Sequence, residues 1–225
     1  MSKNTLIISR PAIGKTQKAI EYYIDKIQNG INGVYVSLEM KDTLLMDRIM
    51  LTKMKNILVA TLMLFLATVG FAKEHAVTYE VDGKVYEGYY STPSDNAPLV
   101  FIIHDWDGLN AYEMKRAKML NTLGYGAFAI DLFGKGVQPV TLEEKKALTN
   151  ALYNDRAKMQ KLLNASYQAA KKEGANVTNA IGIGYCFGGA ALLEMARMGT
   201  PLKGFASFHG GLATPSGEDY KQTKG

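Results

Sequence analysis

Ala180-Ile181-Gly182-Ile183-Gly184-Tyr185-Cys186-Phe187-Gly188-Gly189 is the stretch that decides the fold. An apolar, β-branched run from Ala180 to Tyr185 reads as a buried strand. Gly188 to Met198, rich in Ala and Leu, reads as a helix. Between them sits one residue with a reactive side chain, flanked by glycines at the spacing Gly-x-Cys-x-Gly. A strand that turns sharply into a helix needs such glycines, because the two backbones pass close together. The helix N-terminus then aims its N–H groups at the nucleophile, which for a thiol favours the thiolate. The chain has a single cysteine, so no intrachain disulfide competes for it. A lone Cys is ordinarily a small buried hydrophobe. In this setting Cys186 is expected to be a nucleophile.

Upstream, Val77 to Ser91 alternates in polarity around Asp82-Gly83, the mark of a β-hairpin. Leu99 to Ile103 is a continuous apolar run, expected to be a strand buried on both faces and ending at His104-Asp105-Trp106. Asn110 to Leu123 is expected as a helix stopped by Gly124, and Ala127 to Ile130 as the next strand, closing on Asp131. Thr141 to Lys172 carries one apolar stripe and reads as a single long helix with Thr141 and Glu144 at capping-box spacing. Leu202 to Phe208 is the last strand. An opening hairpin followed by strand–helix alternation predicts an α/β fold with a mostly parallel sheet and helices on both faces. The reactive residue would lie at the C-terminal end of its strand, where such sheets place their sites.

The motifs HDWDGLN, AIDLFG, GYCFGG and SFHGG, in that order, resemble the dienelactone hydrolase family over about residues 77–215. The resemblance implies an α/β-hydrolase fold and hydrolysis of lactones or small carboxylic esters by a cysteine nucleophile. It puts Cys186 at the nucleophile position, and Trp106 and Phe187 at the N–H positions of the oxyanion hole. Asp105 stands where family members often carry a Glu hydrogen-bonded to the resting thiol, and Asp is one methylene shorter. His104 and His209 are expected in the pocket, His104 as a structural residue at its strand end. Asp131 reads as a strand-end cap. The Asp and His that complete the family triad come from later strands, which these 225 residues do not contain. The domain over residues 73–225 is therefore expected to be incomplete, to leave its last strand as an open edge, and to hydrolyse esters poorly. Neither these four motifs nor this resemblance calls for a metal or cofactor.

Two further segments differ in character. Residues 54–72, MKNILVATLMLFLATVGFA, have the layout of a secretory signal: Lys55 as the positive start, an apolar run from Ile57 to Val69, and small residues at Gly70 and Ala72. At thirteen residues the run is short for a membrane span, which needs about 20. Export to the periplasm or exterior is expected if translation starts at Met54, and membrane contact only through residues 57–72 if they are uncleaved. Residues 1–53 would then be a foreign piece. They read strand, loop, helix, strand, with Arg10-Pro11-Ala12-Ile13-Gly14-Lys15-Thr16 as a P-loop-like turn, although Ser9 stands where the full pattern has its first glycine. Gly14 and the helix start would cradle phosphate, Lys15 reach it, and Thr16 hold Mg²⁺. SRPAIGKT followed by VYVSLEM resembles the opening of a DnaB-type replicative helicase ATPase domain, in which Glu39 would polarise the attacking water.

Charge gives no nucleic-acid footprint for residues 73–225, where seventeen Lys/Arg face sixteen Asp/Glu. The reading favoured by the residues is a hydrolase of small-molecule esters or lactones. The alternatives are an ATP-binding helicase fragment, read from residues 1–53, and a non-catalytic, hydrolase-like binding protein.

Overall fold

The computed structural model describes residues 72–213 and 220–223 in full and, at 5–8 and 34–37, the backbone of two strands. The signal-like segment 54–71 and the P-loop-like residues Gly14, Lys15, Thr16 and Glu39 lie outside the described residues. Among the described residues no helix is long and apolar enough to cross a membrane.

Eight strands and four helices are described: β1 (Thr5–Ile8), β2 (Val34–Ser37), β3 (Lys73–Val81), β4 (Lys84–Thr92), β5 (Pro98–Ile103), α1 (Ala111–Thr122), β6 (Gly126–Ile130), α2 (Leu142–Asn154), α3 (Arg156–Lys172), β7 (Asn176–Tyr185), α4 (Phe187–Arg197) and β8 (Phe205–Phe208). They form one sheet in the order β1-β2-β8-β7-β5-β6-β4-β3. Only β3 and β4 run antiparallel to their neighbours, and every pairing from β1 through β6 is parallel.

The central strands are apolar on both faces because both are covered. Phe101 and Ile103 of β5, with Phe128 and Ile130 of β6, join Leu162, Leu163, Leu192 and Met195 in the larger core cluster. The intervening Val100, Ile102, Ala127 and Ala129 pack with Ala117 of α1 on the other face. Alternation with period two thus sends each strand's bulk to the α3–α4 face and its smaller residues to the α1 face. Helices on both faces of a mostly parallel sheet are the expected α/β-hydrolase architecture.

Three expectations are corrected. The hairpin begins at Lys73, with Lys73 opposite Thr92, rather than at Val77. The single helix over 141–172 is two helices. Asp155 leaves the helical path at φ −120°, ψ 76°, and its carboxylate accepts the Lys158 N–H at 2.9 Å, so it caps α3 as α2 ends. An Asp side chain that captures a backbone donor competes with helix continuation. Finally, β8 is not an open edge: β2 pairs with it in parallel, Tyr35 opposite Phe205 and Ser37 opposite Ser207.

Candidate active site

The elbow is built as the sequence suggests. Register aligns Ile103 with Gly184 and Tyr185 with Phe208, so β5, β7 and β8 end together and their loops share one edge. Cys186 projects from the middle strand of the three and is exposed. Its backbone sits at φ 50°, ψ −113°, a region disfavoured for residues with a Cβ. Two contacts hold it there: the Cys186 N–H donates to the Phe208 carbonyl at 2.8 Å, and its own carbonyl accepts the Ala190 N–H at 3.2 Å.

The glycines are required by close approach rather than by φ. A Cβ on Gly184 would collide with the Gly188 carbonyl group, and one on Gly188 with the carbonyl oxygens of Ile103 and His104. A Cβ on Gly189 would fall 2.6 Å from Ser207 Oγ and 3.0 Å from Gly210 Cα. The start of α4 is thereby pressed onto the ends of β5 and β8, with Gly188 against the Ile103 and His104 carbonyls.

That loop is itself tied down. His104 is fully buried. Its Nδ1 donates to the Asp105 carbonyl at 2.6 Å and its Nε2 accepts the Leu132 N–H at 3.1 Å, which fixes the tautomer. Burial lowers its pKa and keeps the ring neutral. Its edge meets Phe133 at 4.6 Å, and it lies 6.0 Å from Phe187. His104 therefore staples the β5 loop to the β6 loop and offers no free nitrogen to a substrate. Asp131 does the same for β6: its carboxylate accepts the N–H groups of Glu87, Phe133 and Gly134 at 2.9–3.0 Å.

Asp105 does not reach the thiol as its family position implies. Its Oδ1 accepts the Asp107 N–H at 2.7 Å, a tight local turn, and no hydrogen bond joins it to Cys186 among the described residues. Burial raises its pKa. Asp107 is ion-paired with Lys145 of α2, whose ammonium also lies 5.8 Å from the Trp106 ring centroid. Trp106 is 38% exposed, so the ring stands at the surface of its loop.

His209 is exposed and adopts φ 60°, the left-handed region, immediately after the Phe208 carbonyl that holds Cys186. His75 lies at the opposite end of the sheet, paired with Glu173 at 2.9 Å.

Two residues near the site were not anticipated. Glu113 of α1 is buried, and its carboxylate accepts the Asn110 N–H at 3.0 Å, closing a capping box just after the Trp106 loop. Burial, opposed by that cap bond and reinforced by Asp105 and Asp107, pushes its pKa up to about 7. Asn110 and Glu113 at capping-box spacing were legible in the sequence. Tyr153, in the last turn of α2, meets Phe187 edge-on at 5.5 Å; no sequence signal distinguishes it from a surface tyrosine.

Residues 86–225 match the family model described as the dienelactone hydrolase family. This chain belongs to the dienelactone hydrolase family. The structure named m3DLH is 29% identical, with a TM-score of 0.59, covering 64% of this chain and 62% of that one. A dienelactone hydrolase-like promiscuous phosphotriesterase from metagenomic libraries is also 29% identical, with a TM-score of 0.61, covering 65% and 62%. A Klebsiella pneumoniae protein described as a dienelactone hydrolase, at 18% identity and a TM-score of 0.54, shares the fold, covering 68% and 65%. The chain thus spans about three fifths of the length of the first two. No curated protein matches it. The helicase resemblance of residues 1–53 finds no support in these comparisons.

Proposed function

We propose that this chain is a cysteine-dependent hydrolase of small carboxylic esters or lactones, with Cys186 as nucleophile. One observation carries the reading: an exposed thiol on a strained backbone at the N-cap of α4, between the end of β7 and the first turn of that helix. The thiolate would attack the acyl carbon, with the N–H groups of Trp106 and Phe187 receiving the developing oxyanion. Collapse would expel the alcohol and leave a thioester on Sγ.

Deacylation is proposed to be the weak step. It needs a base to activate water. His75 is remote and paired, and His104 is sealed, which leaves only His209 beside the elbow. His209 stands on exposed left-handed backbone rather than on a strand or helix, and thioester is expected to accumulate.

The test is a stopped-flow assay with p-nitrophenyl acetate, following p-nitrophenolate. The expected result is a burst of about one equivalent per chain followed by very slow turnover, with the burst absent in Cys186→Ala. A burst that survives that substitution, or no acylation at all, would refute the reading. Mass spectrometry of the quenched protein should find the acyl group on the peptide containing Cys186.

A further inference from the structure

We propose that Tyr153 is a substrate-facing hydrogen-bond donor of the Cys186 site, its phenol O–H meeting the carbonyl oxygen of the acyl group under attack. The proposal rests on the cysteine-hydrolase reading and adds to it a residue that lies outside every motif of the sequence.

Its position follows from the break at Asp155. Because α2 stops at Asn154, Tyr153 falls in the final turn and lies over the first residue of α4 instead of continuing along one long helix. Its ring meets the Phe187 ring at 5.5 Å and 77°. Phe187 is in turn held against Phe133 at 5.6 Å and His104 at 6.0 Å. A stack of four rings thus fixes Tyr153 relative to the residue next to the nucleophile. An edge-to-face contact leaves a tyrosine hydroxyl free to point outward, and Tyr153 is 43% exposed against the residue that adjoins the exposed thiol.

The hydroxyl has no hydrogen-bond partner among the described residues, whereas that of Tyr79 both donates to the Asp131 carbonyl and accepts the Asp131 N–H. Burial, and then the negative charge of an ionised Cys186, raise the Tyr153 pKa. The phenol therefore stays protonated at neutral pH and acts as a donor. A structural role needs only the ring on Phe187, and a phenylalanine would meet that need.

The chemistry balances without consuming the phenol proton. The Cys186 thiolate forms the C–S bond as the carbonyl pair moves onto oxygen, and Tyr153 donates a hydrogen bond to that oxygen while keeping its proton. The pair returns, the C–O bond to the leaving group breaks, and p-nitrophenolate departs with the charge. A donor aimed where charge develops accelerates this step and does nothing for reactions that develop no oxyanion.

The experiment compares two reactions of the same sulfur in the wild type and in Tyr153→Phe. Acylation by p-nitrophenyl acetate passes through an oxyanion. Alkylation by iodoacetamide forms a C–S bond and releases iodide without one. The expected result is an acylation rate lower by about 10-fold or more with alkylation changed by less than about 2-fold, and an unchanged unfolding midpoint. Equal acylation rates would overturn the proposal, as would a parallel fall in both reactions, which would assign Tyr153 to the thiol's surroundings alone. Cys186→Ala separates the two levels: acylation that persists there sinks the nucleophile assignment itself, whereas acylation lost there but unaffected in Tyr153→Phe sinks only the role of the phenol.

Discussion

Glu113→Gln should make this protein more stable at neutral pH and leave its stability at pH 4.5 nearly unchanged. Glu113 is 1% exposed, and burial is the main reason its pKa rises from the ordinary 4.5 to about 7. The N–H of Asn110 and its own N–H favour the carboxylate and offset part of that rise, while Asp105 and Asp107 add to it. For a carboxyl whose folded pKa is raised, stability is fully present below the unfolded pKa and is lost as pH rises through the folded one. The affected window is therefore about pH 4.5 to 7. Moving the pKa from 4.5 to about 7 corresponds, at about 1.4 kcal/mol per pH unit, to ~3 kcal/mol lost between those limits. Glutamine keeps the shape and a carbonyl oxygen for the Asn110 N–H, and it cannot ionise. The capping box should survive in modified form and the pH-dependent loss should disappear.

The assay is urea unfolding of both proteins at half-unit steps from pH 4 to 8, with stability extrapolated at a common slope. The difference between the two curves isolates Glu113 from the other carboxylates, including Asp105, whose raised pKa gives the wild type a further loss in the same direction. A gap near zero at pH 4.5, opening to about 3 kcal/mol by pH 8, is expected. Parallel curves would refute the reasoning, because they would mean that Glu113 is either solvated or charged at no cost throughout. A variant less stable at every pH would mean that the cap bond needs the full carboxylate charge and outweighs burial.

Other substitutions test the frame around the elbow. Gly188→Ala should abolish acylation and cost several kcal/mol, on the order of an overpacked core site, because its Cβ meets the fixed carbonyls of Ile103 and His104; a soluble, active Gly188→Ala protein would show that the loop yields. His104→Ala should lower the unfolding free energy by about 2–4 kcal/mol, since it strands the Leu132 N–H and removes the tie to the Asp105 carbonyl. If His104→Ala instead keeps its stability and loses only acylation, the histidine is a catalytic group and not a staple. A chain beginning at Lys73 lacks β1 and β2 and bares the Phe205–Ser207 edge of β8. Light scattering should then show concentration-dependent association, and a monodisperse species would argue that β2 contributes nothing to solubility.

What could be read from the sequence divides along a physical line. Cys186, its glycines and the burial of β5, β6 and β7 were legible because each imposes a constraint on local residue choice: a reactive side chain, a forbidden Cβ, an uninterrupted apolar run. The break at Asp155 was not, since the apolar stripe of Leu148, Leu152, Met159 and Leu163 continues across it. Periodicity records which face is buried and is silent on whether the backbone is continuous. The open edge expected at β8 depended on treating residues 1–53 as unrelated to the sheet, and strand pairing is a non-local property that no window of sequence carries. Asp105 shows the same limit at the scale of one side chain. Its family position suggests a contact with the thiol, yet the Asp-x-Asp spacing equally supports a local turn, and the turn is what forms at 2.7 Å. A short carboxylate satisfied two residues away has little reason to reach for the thiol. The elbow therefore has its geometry from glycines and loop staples, while the carboxylates around it are already engaged, Asp105 and Asp131 with backbone N–H groups and Asp107 with Lys145. On the reading proposed for Cys186, that leaves backbone N–H groups, His209 and a neutral donor such as Tyr153 to meet a substrate.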